Sequence, residues 1–353
     1  MNLEPLNILG LMSGTSLDGL DLCLAAFRQN ENGEWQHEIL AAQTISYSQE
    51  WLEKLQRAHT LNAFEFVALH KEYGKFLGEQ SADFLHKKNL KADYLASHGH
   101  TIFHQPERGI TFQLGDGNAL AAAASVSTLF DFRSLDVALG GQGAPLVPVG
   151  DRLLFSEYDS CLNLGGFANI SFEQSGNRVA FDVCPCNIVL NALSKIAGKN
   201  YDEDGLLAAQ GKLDESLLCE LNSLDFYAQQ GAKSLGREWV EEVFYKKIEA
   251  SNISLQDKLR TVCEHVAIQV SRSAQGKKML VTGGGAFNKF LMQRIADLCA
   301  CKVVIPDAQV VNFKEALVFA FLGALHVRNQ ANCLSSSTGA KQCCVGGCLV
   351  KMG

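Results

Sequence analysis

The chain of 353 residues contains no G-x4-G-K-[ST] and no G-x-G-x-x-G that follows an apolar strand and opens a helix. The two commonest backbone cradles for nucleotide phosphates are missing, so a P-loop or Rossmann reading loses its support. No run of Lys or Arg is long enough to make a basic stripe, and the net charge is -7. Nucleic acid is therefore not an expected partner, whereas a small phosphorylated ligand is still allowed, because backbone amides bind phosphate without net positive charge. Nowhere do about 18 uncharged apolar residues follow one another, so neither a spanning helix nor a membrane partner is expected. Met1 to Asn7 carries an acid and a proline rather than basic residues followed by an apolar run, which argues against a secretory leader. Paired C-x2-C spacing is absent too. The twelve cysteines sit largely inside apolar segments, as at Cys23, Cys161 and Cys263, and read as reduced, buried thiols of a cytoplasmic protein. The C-x-C pairs Cys184/Cys186 and Cys299/Cys301 and the group Cys343, Cys344, Cys348 lack the spacing of structural zinc sites.

What is present is 47% hydrophobic residues and 31 glycines, enough to bury two ordinary cores. Two lobes are expected, 1–132 with 329–353 and then 133–328. Apolar runs at Ile8–Met12, Leu20–Phe27 and Ile39–Ile45 read as three strands, the first pair joined by a polar turn. Asn62 with Glu65 three residues later predicts a capped amphipathic helix carrying Phe66, Leu69, Tyr73, Phe76 and Leu77. Short strands follow at Tyr94–Ser97, Thr111–Leu114 and Val126–Phe132, then a Gly- and Pro-rich crossover loop from Gly140 to Gly150. The opening layout then repeats: Cys161–Leu164, a Gly165-Gly166 turn, Ala168–Phe172 and Val179–Val183, with a helix from about Asn187. Helical periodicity holds from Leu218 to Ser273. A strand at Met279–Thr282, another at Val303–Ile305 and a last helix at Lys314–Val327 complete an α/β chain with mixed sheets.

Several segments carry chemistry. The turn Ser13-Gly14-Thr15-Ser16-Leu17-Asp18-Gly19 can present amides and hydroxyls to phosphate oxygens while Asp18 or Asp21 holds hydrated Mg²⁺; an ordinary hairpin turn has the same composition. Gly283-Gly284-Gly285-Ala286, after a strand, is a second place where backbone can approach a ligand closely. Asp182, read as closing the apolar strand Val179-Ala180-Phe181, suits a general base at a strand's carboxyl end, or equally a helix N-cap. His98, His100 and His104 have a spacing that can hold a metal or line a polar cleft. Arg133 can fork onto a carboxylate or phosphate, or pair with a local Asp.

The order of these residues resembles one family, the anhydro-N-acetylmuramic acid kinases. Gly10-Leu11-Met12-Ser13-Gly14-Thr15-Ser16-Leu17-Asp18-Gly19 is similar to its phosphate turn. Ser97-His98-Gly99-His100-Thr101-Ile102, Gln113-Leu114-Gly115-Asp116-Gly117, Asp131-Phe132-Arg133, the string from Gly140 to Pro148, Asn163 to Ile170, Tyr201 to Gly205, Gly283 to Asn288 and Glu315-Ala316 match successive motifs.

The resemblance implies a bilobal actin-like, ribonuclease H-like fold with ATP and Mg²⁺ bound in a cleft between lobes. It implies conversion of 1,6-anhydro-N-acetylmuramate, ATP and water to N-acetylmuramate 6-phosphate and ADP, in bacterial peptidoglycan recycling. It places Asp182 as catalytic base and Glu315 as the second acid that positions water. Ser13, Gly14, Thr15, Ser16, Leu17, Asp18, Gly19, Leu20 and Asp21 fall on the phosphate and Mg²⁺ side, Gly283, Gly284, Gly285 and Asn288 on adenosine, and His98, Arg133 and Asn187 on the sugar. No dedicated protein metal site is expected beyond Mg²⁺ carried by ATP, and a homodimer is what the family suggests. Two departures stand out: Val183-Cys184-Pro185-Cys186 where the family has Thr-Gly-Pro-Gly, and His100 where it has Gln. The lost glycines narrow the backbone's approach to the sugar and so bear on substrate affinity more than on reaction type. A kinase for another sugar and a non-catalytic ATP switch are the competing readings.

Overall fold

The computed structural model describes residues 4–14, 17–229, 231 and 233–353. The chain divides into two compact units, residues 1–154 with 313–353, and residues 155–312. Residues 133–154 and 313–328, which the sequence reading put in the second lobe, thus group with the first unit.

In the first unit the strands are β1 (Leu6–Ser13), β2 (Leu20–Gln29), β3 (Trp35–Ile45), β4 (Tyr94–Gln105), β5 (Ile110–Leu114) and β6 (Thr128–Phe130). Among the described residues these and the terminal strand Cys348–Val350 form one sheet, in the order terminal strand, β6, β4, β1, β2, β3, with β5 paired to β4. The antiparallel β1–β2–β3 meander is followed by parallel β4 and β6. β1 and β2 are buried on both faces, which is why they read as continuous apolar runs, while β3 alternates as an edge strand does.

One face is covered by α1 (Ala63–Lys88), capped as expected by the Asn62 side chain, which accepts from the Glu65 amide. Its Leu69, Tyr73 and Leu77 pack with Leu9, Leu11, Leu22 and Leu24. The helix Ala308–Val327, here α2, begins six residues earlier than its periodicity suggested. It is long and apolar enough to cross a bilayer, yet 72% of its apolar window is buried in the fold, and Phe321 meets Phe27 and Trp35 at ring separations of 5.4 and 5.2 Å. The Gly140–Gly150 segment is a loop only as far as Leu146. Val147–Leu154 is helical, and Gly150 is small because a side chain there would enter Val318 of α2.

The second unit repeats the plan with β7 (Ser160–Leu164), β8 (Phe167–Gln174), β9 (Asn177–Pro185), β10 (Lys278–Thr282) and β11 (Lys302–Val304). An antiparallel β7–β8–β9 meander is followed by parallel β10 and β11, in the order β11, β10, β7, β8, β9. Both sheets thus share one connectivity, 3-2-1-4-5 by position in the repeat, the signature of the actin-like, ribonuclease H-like α/β fold. The weak internal repeat noticed in the sequence is this duplication. The helix Leu255–Ser273 supplies Val262, Val266 and Val270 to the second core. The helical stretch expected from Leu218 is not continuous: between helices at Glu215–Asn222 and Leu255–Ser273 come a short turn at Asp225–Ala228 and a helical run from Arg237 to Ala250 that contains a π segment at Val240–Phe244.

Candidate active site

In the first unit Ser13 pairs with Leu20 and Met12 with Asp21, so the segment Gly14 to Gly19 closes the β1–β2 hairpin. Thr15 and Ser16, expected on the phosphate side, lie outside the described residues. Leu17 has φ +61°, a left-handed conformation that a bulky side chain rarely adopts, and its amide donates to the Gly14 carbonyl at 3.2 Å. A Cβ on Gly19 would come within 2.7 Å of the Ile45 carbonyl oxygen. Asp18 is exposed and Asp21 half-buried, with Thr44 Oγ1 donating to Asp21 Oδ1 at 2.5 Å. Burial raises the Asp21 carboxyl, the Thr44 bond opposes this, and the charge of Asp18 raises it further. Two carboxylates in each other's field at a tight turn are the hard-oxygen donors that Mg²⁺ prefers, so these residues fit that ion.

Ser13 turns its side chain inward. Tyr47 donates to Ser13 Oγ at 2.7 Å, the Tyr47 and Tyr73 hydroxyls meet at 2.7 Å, and Ser13 Oγ lies 2.9 Å from His100 Nδ1. The chain of donors closes with a neutral His100 accepting from Ser13, and burial holds the His100 pKa down at about 4.

His100 and His98 are both aimed by a bulge in β4. Leu11 pairs with Ser97 but Ser13 pairs with His100, so β4 holds one extra residue at the left-handed Gly99. Arg133 donates through Nε and Nη2 to His98 Nε2 at 3.1 and 2.9 Å, and through Nη1 to the Gly143 carbonyl at 2.6 Å. The His98 proton is thereby placed on Nδ1, which donates to the Gly99 carbonyl at 3.0 Å. Burial, and then the Arg133 charge, push the His98 pKa well down, so His98 is a neutral acceptor. His104 bonds Thr111 instead. The three histidines therefore have separate partners and do not converge as metal ligands.

Phe319 packs under this pair, 4.7 Å from His98 ring to ring and 6.0 Å from the Arg133 guanidinium. On the same helix Glu315 is exposed to solvent, yet the surrounding protein raises its carboxyl, opposed by Lys314 and Arg133 and reinforced by Asp21. A pocket of about 90 Å³ opens beside His98, lined by Gln113, Asp131 and Ser134 among others. Asp131 accepts from the Ser134 amide and hydroxyl, so the local partner weighed for Arg133 is engaged elsewhere.

In the second unit Asp182 is not at the end of its strand: β9 continues to Pro185. Asn169 pairs with Asp182 and Ala168 with Cys184, so Val183 is an extra residue beside the carboxylate. Such a bulge re-aims its neighbours. Asp182 Oδ2 accepts the Leu235 amide at 2.8 Å and its own amide donates to the Lys233 carbonyl, so it is not the N-cap of the following helix, Asn187–Ile196, where Cys186 holds that position. Burial raises the Asp182 carboxyl, with the Leu235 amide opposing.

The Asn187 side chain donates through Nδ2 to the Leu164 carbonyl at 2.9 Å, beside Gly285. Gly283 has φ +83° and a Cβ there would lie 2.6 Å from Asn163 Oδ1, whereas Gly284 is exposed and a Cβ there would meet only Asn187 Nδ2, at 3.9 Å. Asn288 caps the next helix, accepting from Leu291 at 2.9 Å. The second unit thus gathers Asn187 and Gly283 to Gly285 on the β7–β8 turn, as the first gathers the Ser13 turn, Asp21, His98, Arg133 and Glu315.

Sequence reasoning missed Tyr47, Tyr73, Gly143 and Lys314. Tyr73 reads as an apolar position of its helix, and Tyr47 falls just past the third strand with no motif to mark it. Gly143 acts through its carbonyl, which leaves no trace in a sequence. Lys314, buried against Asp151 at 2.6 Å, looks like any solvated helical lysine.

A family model described as anhydro-N-acetylmuramic acid kinase matches residues 6–352. The anhydro-N-acetylmuramic acid kinase of Vibrio vulnificus (strain YJ016) is 34% identical over 357 residues, covering 95% of each chain. The proteins of that name from Mannheimia succiniciproducens and Pseudomonas syringae pv. tomato are 34% and 33% identical, each over 94% of this chain and 96% of their own. Among solved structures, a ligand-bound xylulose kinase from Lactobacillus acidophilus is 11% identical at a TM-score of 0.46, covering 96% of this chain and 93% of its own, a likeness that adds nothing to the strand order above.

Proposed function

Because the chain belongs to the anhydro-N-acetylmuramic acid kinase family, we propose that it opens the 1,6-anhydro ring of 1,6-anhydro-N-acetylmuramate with water and phosphorylates O6. The bicyclic sugar has no free 6-hydroxyl, since O6 is bonded to C1, so that bond must break before O6 can be phosphorylated. Water attacks C1 from the face opposite O6, and Asp182, helped by Glu315, takes its proton, as in an inverting glycosidase. The electrons of the C1–O6 bond pass to O6, which captures the γ-phosphoryl group of ATP and releases ADP. The observation that supports this most is the setting of Asp182: a half-buried carboxylate beside a bulge, with one oxygen pinned by the Leu235 amide and its basicity raised by burial.

We assign Gly14, Thr15, Ser16, Leu17, Gly19 and Leu20 to the phosphate side, and the inward Ser13 holds the end of β1 in place. Asp18 and Asp21 would hold Mg²⁺ through water, and the ion supplies neutralisation of phosphate charge. Gly283, Gly284, Gly285 and Asn288 take the adenosine, Gly284 by its open backbone. Arg133, oriented by His98, and Asn187 bind the sugar. We place the reaction in the cytoplasm, in peptidoglycan recycling, and in a homodimer.

The test is ADP release with the anhydro sugar against ring-opened N-acetylmuramate, run in ¹⁸O-water and quenched before the anomeric oxygen exchanges. Release with the anhydro sugar alone, and label on C1, is expected. Equal release with the ring-opened sugar and no label on C1 would instead indicate a kinase for free hydroxyls.

A further inference from the structure

The segment after α2 brings two cysteines against a buried carboxylate of the first unit. Cys333 and Cys344 form an antiparallel pair in which each amide donates to the other's carbonyl, at 3.2 and 3.3 Å. Residues paired this way project their side chains from the same face. Cys333 is 1% exposed, Cys344 8% and Asp136 0%. The two sulfurs and one Asp136 carboxylate oxygen all lie within 4.8 Å of one another. A tetrahedral zinc ion, with sulfur at about 2.3 Å and oxygen at about 2.0 Å, requires ligand atoms roughly 3.5 to 4 Å apart. The three donors therefore converge on a space that needs only slight contraction.

Asp136 is also oriented for the task. Thr338 Oγ1 donates to its Oδ1 at 2.7 Å and the Gly143 amide to its Oδ2 at 2.8 Å, and each oxygen keeps a further lone pair. Hydrogen bonds of this kind fix the direction of ligating carboxylates and raise metal affinity. Sulfur donors exclude the hard ions Mg²⁺ and Ca²⁺ and select soft or borderline cations. The spacing along the chain, 136, 333 and 344, has no motif, which is why the sequence suggested no such site.

We propose that Asp136, Cys333 and Cys344 form a binding site for a thiolate-preferring divalent cation of the Zn²⁺ class. On binding, the two thiols each lose a proton to solvent and the cation takes two thiolates and a carboxylate oxygen. The Phe132 carbonyl, which accepts from the Cys333 thiol at 3.6 Å, or a water completes the coordination. Occupancy clamps the chain around 333–344 to the segment 132–143. It thereby stiffens Gly143, whose carbonyl anchors Arg133.

The test uses the reduced, chelator-treated full-length protein titrated with Co²⁺ as a spectroscopic probe and with Zn²⁺ in competition. One equivalent of Co²⁺ with a thiolate-to-cobalt charge-transfer band, displaced by Zn²⁺, is expected. Cys344→Ser should weaken binding by roughly 100-fold or more, while Cys343→Ser leaves it unchanged. A second measurement needs no variant: Zn²⁺ should slow maleimide labelling of Cys333 and Cys344, read peptide by peptide, and leave exposed Cys219 unaffected. No charge-transfer band, binding that survives Cys344→Ser, or protection spread evenly over the thiols would overturn the proposal. So would a Cys333–Cys344 disulfide that forms in air with zinc present.

Discussion

Asp182, His98 and His100 owe their aim to single extra residues, Val183 in β9 and the bulge at Gly99 in β4. At this scale the carboxylate is the sharpest test of the chemistry. Asp182→Asn keeps shape and the Leu235 contact but removes the base, so turnover should fall by about 100-fold or more with ATP affinity retained. Steady-state ADP release beside a nucleotide-binding titration checks both, and near-normal turnover would remove Asp182 from the mechanism. His100 gives a pH prediction. Its folded pKa, about 4, lies below the 6.5 of the free side chain, so the unfolded chain takes up the proton first as pH falls. Stability from keeping His100 neutral is complete above about pH 6.5 and is lost progressively toward pH 4, about 2 kcal/mol of it by pH 5. His100→Gln, which still accepts from Ser13, should lose less stability between pH 7.5 and 5 in urea melts. An unchanged pH slope would mean that His100 titrates normally.

At the scale of elements, α2 is held against β1 by a missing side chain. A Cβ on Gly10 would strike the α2 backbone at Ala316 and lie 2.8 Å from the Ala320 amide nitrogen. Gly10→Ala should therefore push the helix away, cost about 1–3 kcal/mol, and shift Glu315 with it. Urea unfolding gives the first effect and the KM-against-kcat split the second. One residue before Glu315, Lys314 is 4% exposed and 2.6 Å from Asp151. Lys314→Met deprives a buried carboxylate of its ammonium and should cost about 3–5 kcal/mol, whereas the exposed i,i+4 pair of Lys87 with Asp83 should be nearly silent when broken. Comparable midpoints for the two variants would contradict the assignment of burial.

Over the whole molecule the two units differ in how the chain builds them. The second is one continuous segment, 155–312, with its own core around Leu162, Val262, Val266 and Val281, while the first is assembled from both ends of the chain. Residues 155–312 expressed alone should fold, with a cooperative urea transition seen by circular dichroism. Residues 1–154 alone lack α2 and the terminal strand and should not. A non-cooperative 155–312 fragment would show that its core needs the rest of the chain.

The sequence by itself determined the elements and their repetition. Periodicity and capping are local properties, so the Asn62 cap, the three-strand meanders and the glycine turns at 14–19 and 283–285 were all legible, and the motif order carried the family. It could not determine which groups meet. The donor chain from Tyr73 through Tyr47 and Ser13 to His100, the Arg133 fork on His98 and Gly143, and the cluster of Asp136 with Cys333 and Cys344 all join residues far apart in the chain. The bulges escaped for a related reason: one residue more or less in a strand leaves the apolar pattern almost unchanged, and only pairing with the neighbouring strand reveals the slip. Tertiary packing decided these, because burial is what makes a histidine neutral, a carboxylate basic and a thiol a neighbour.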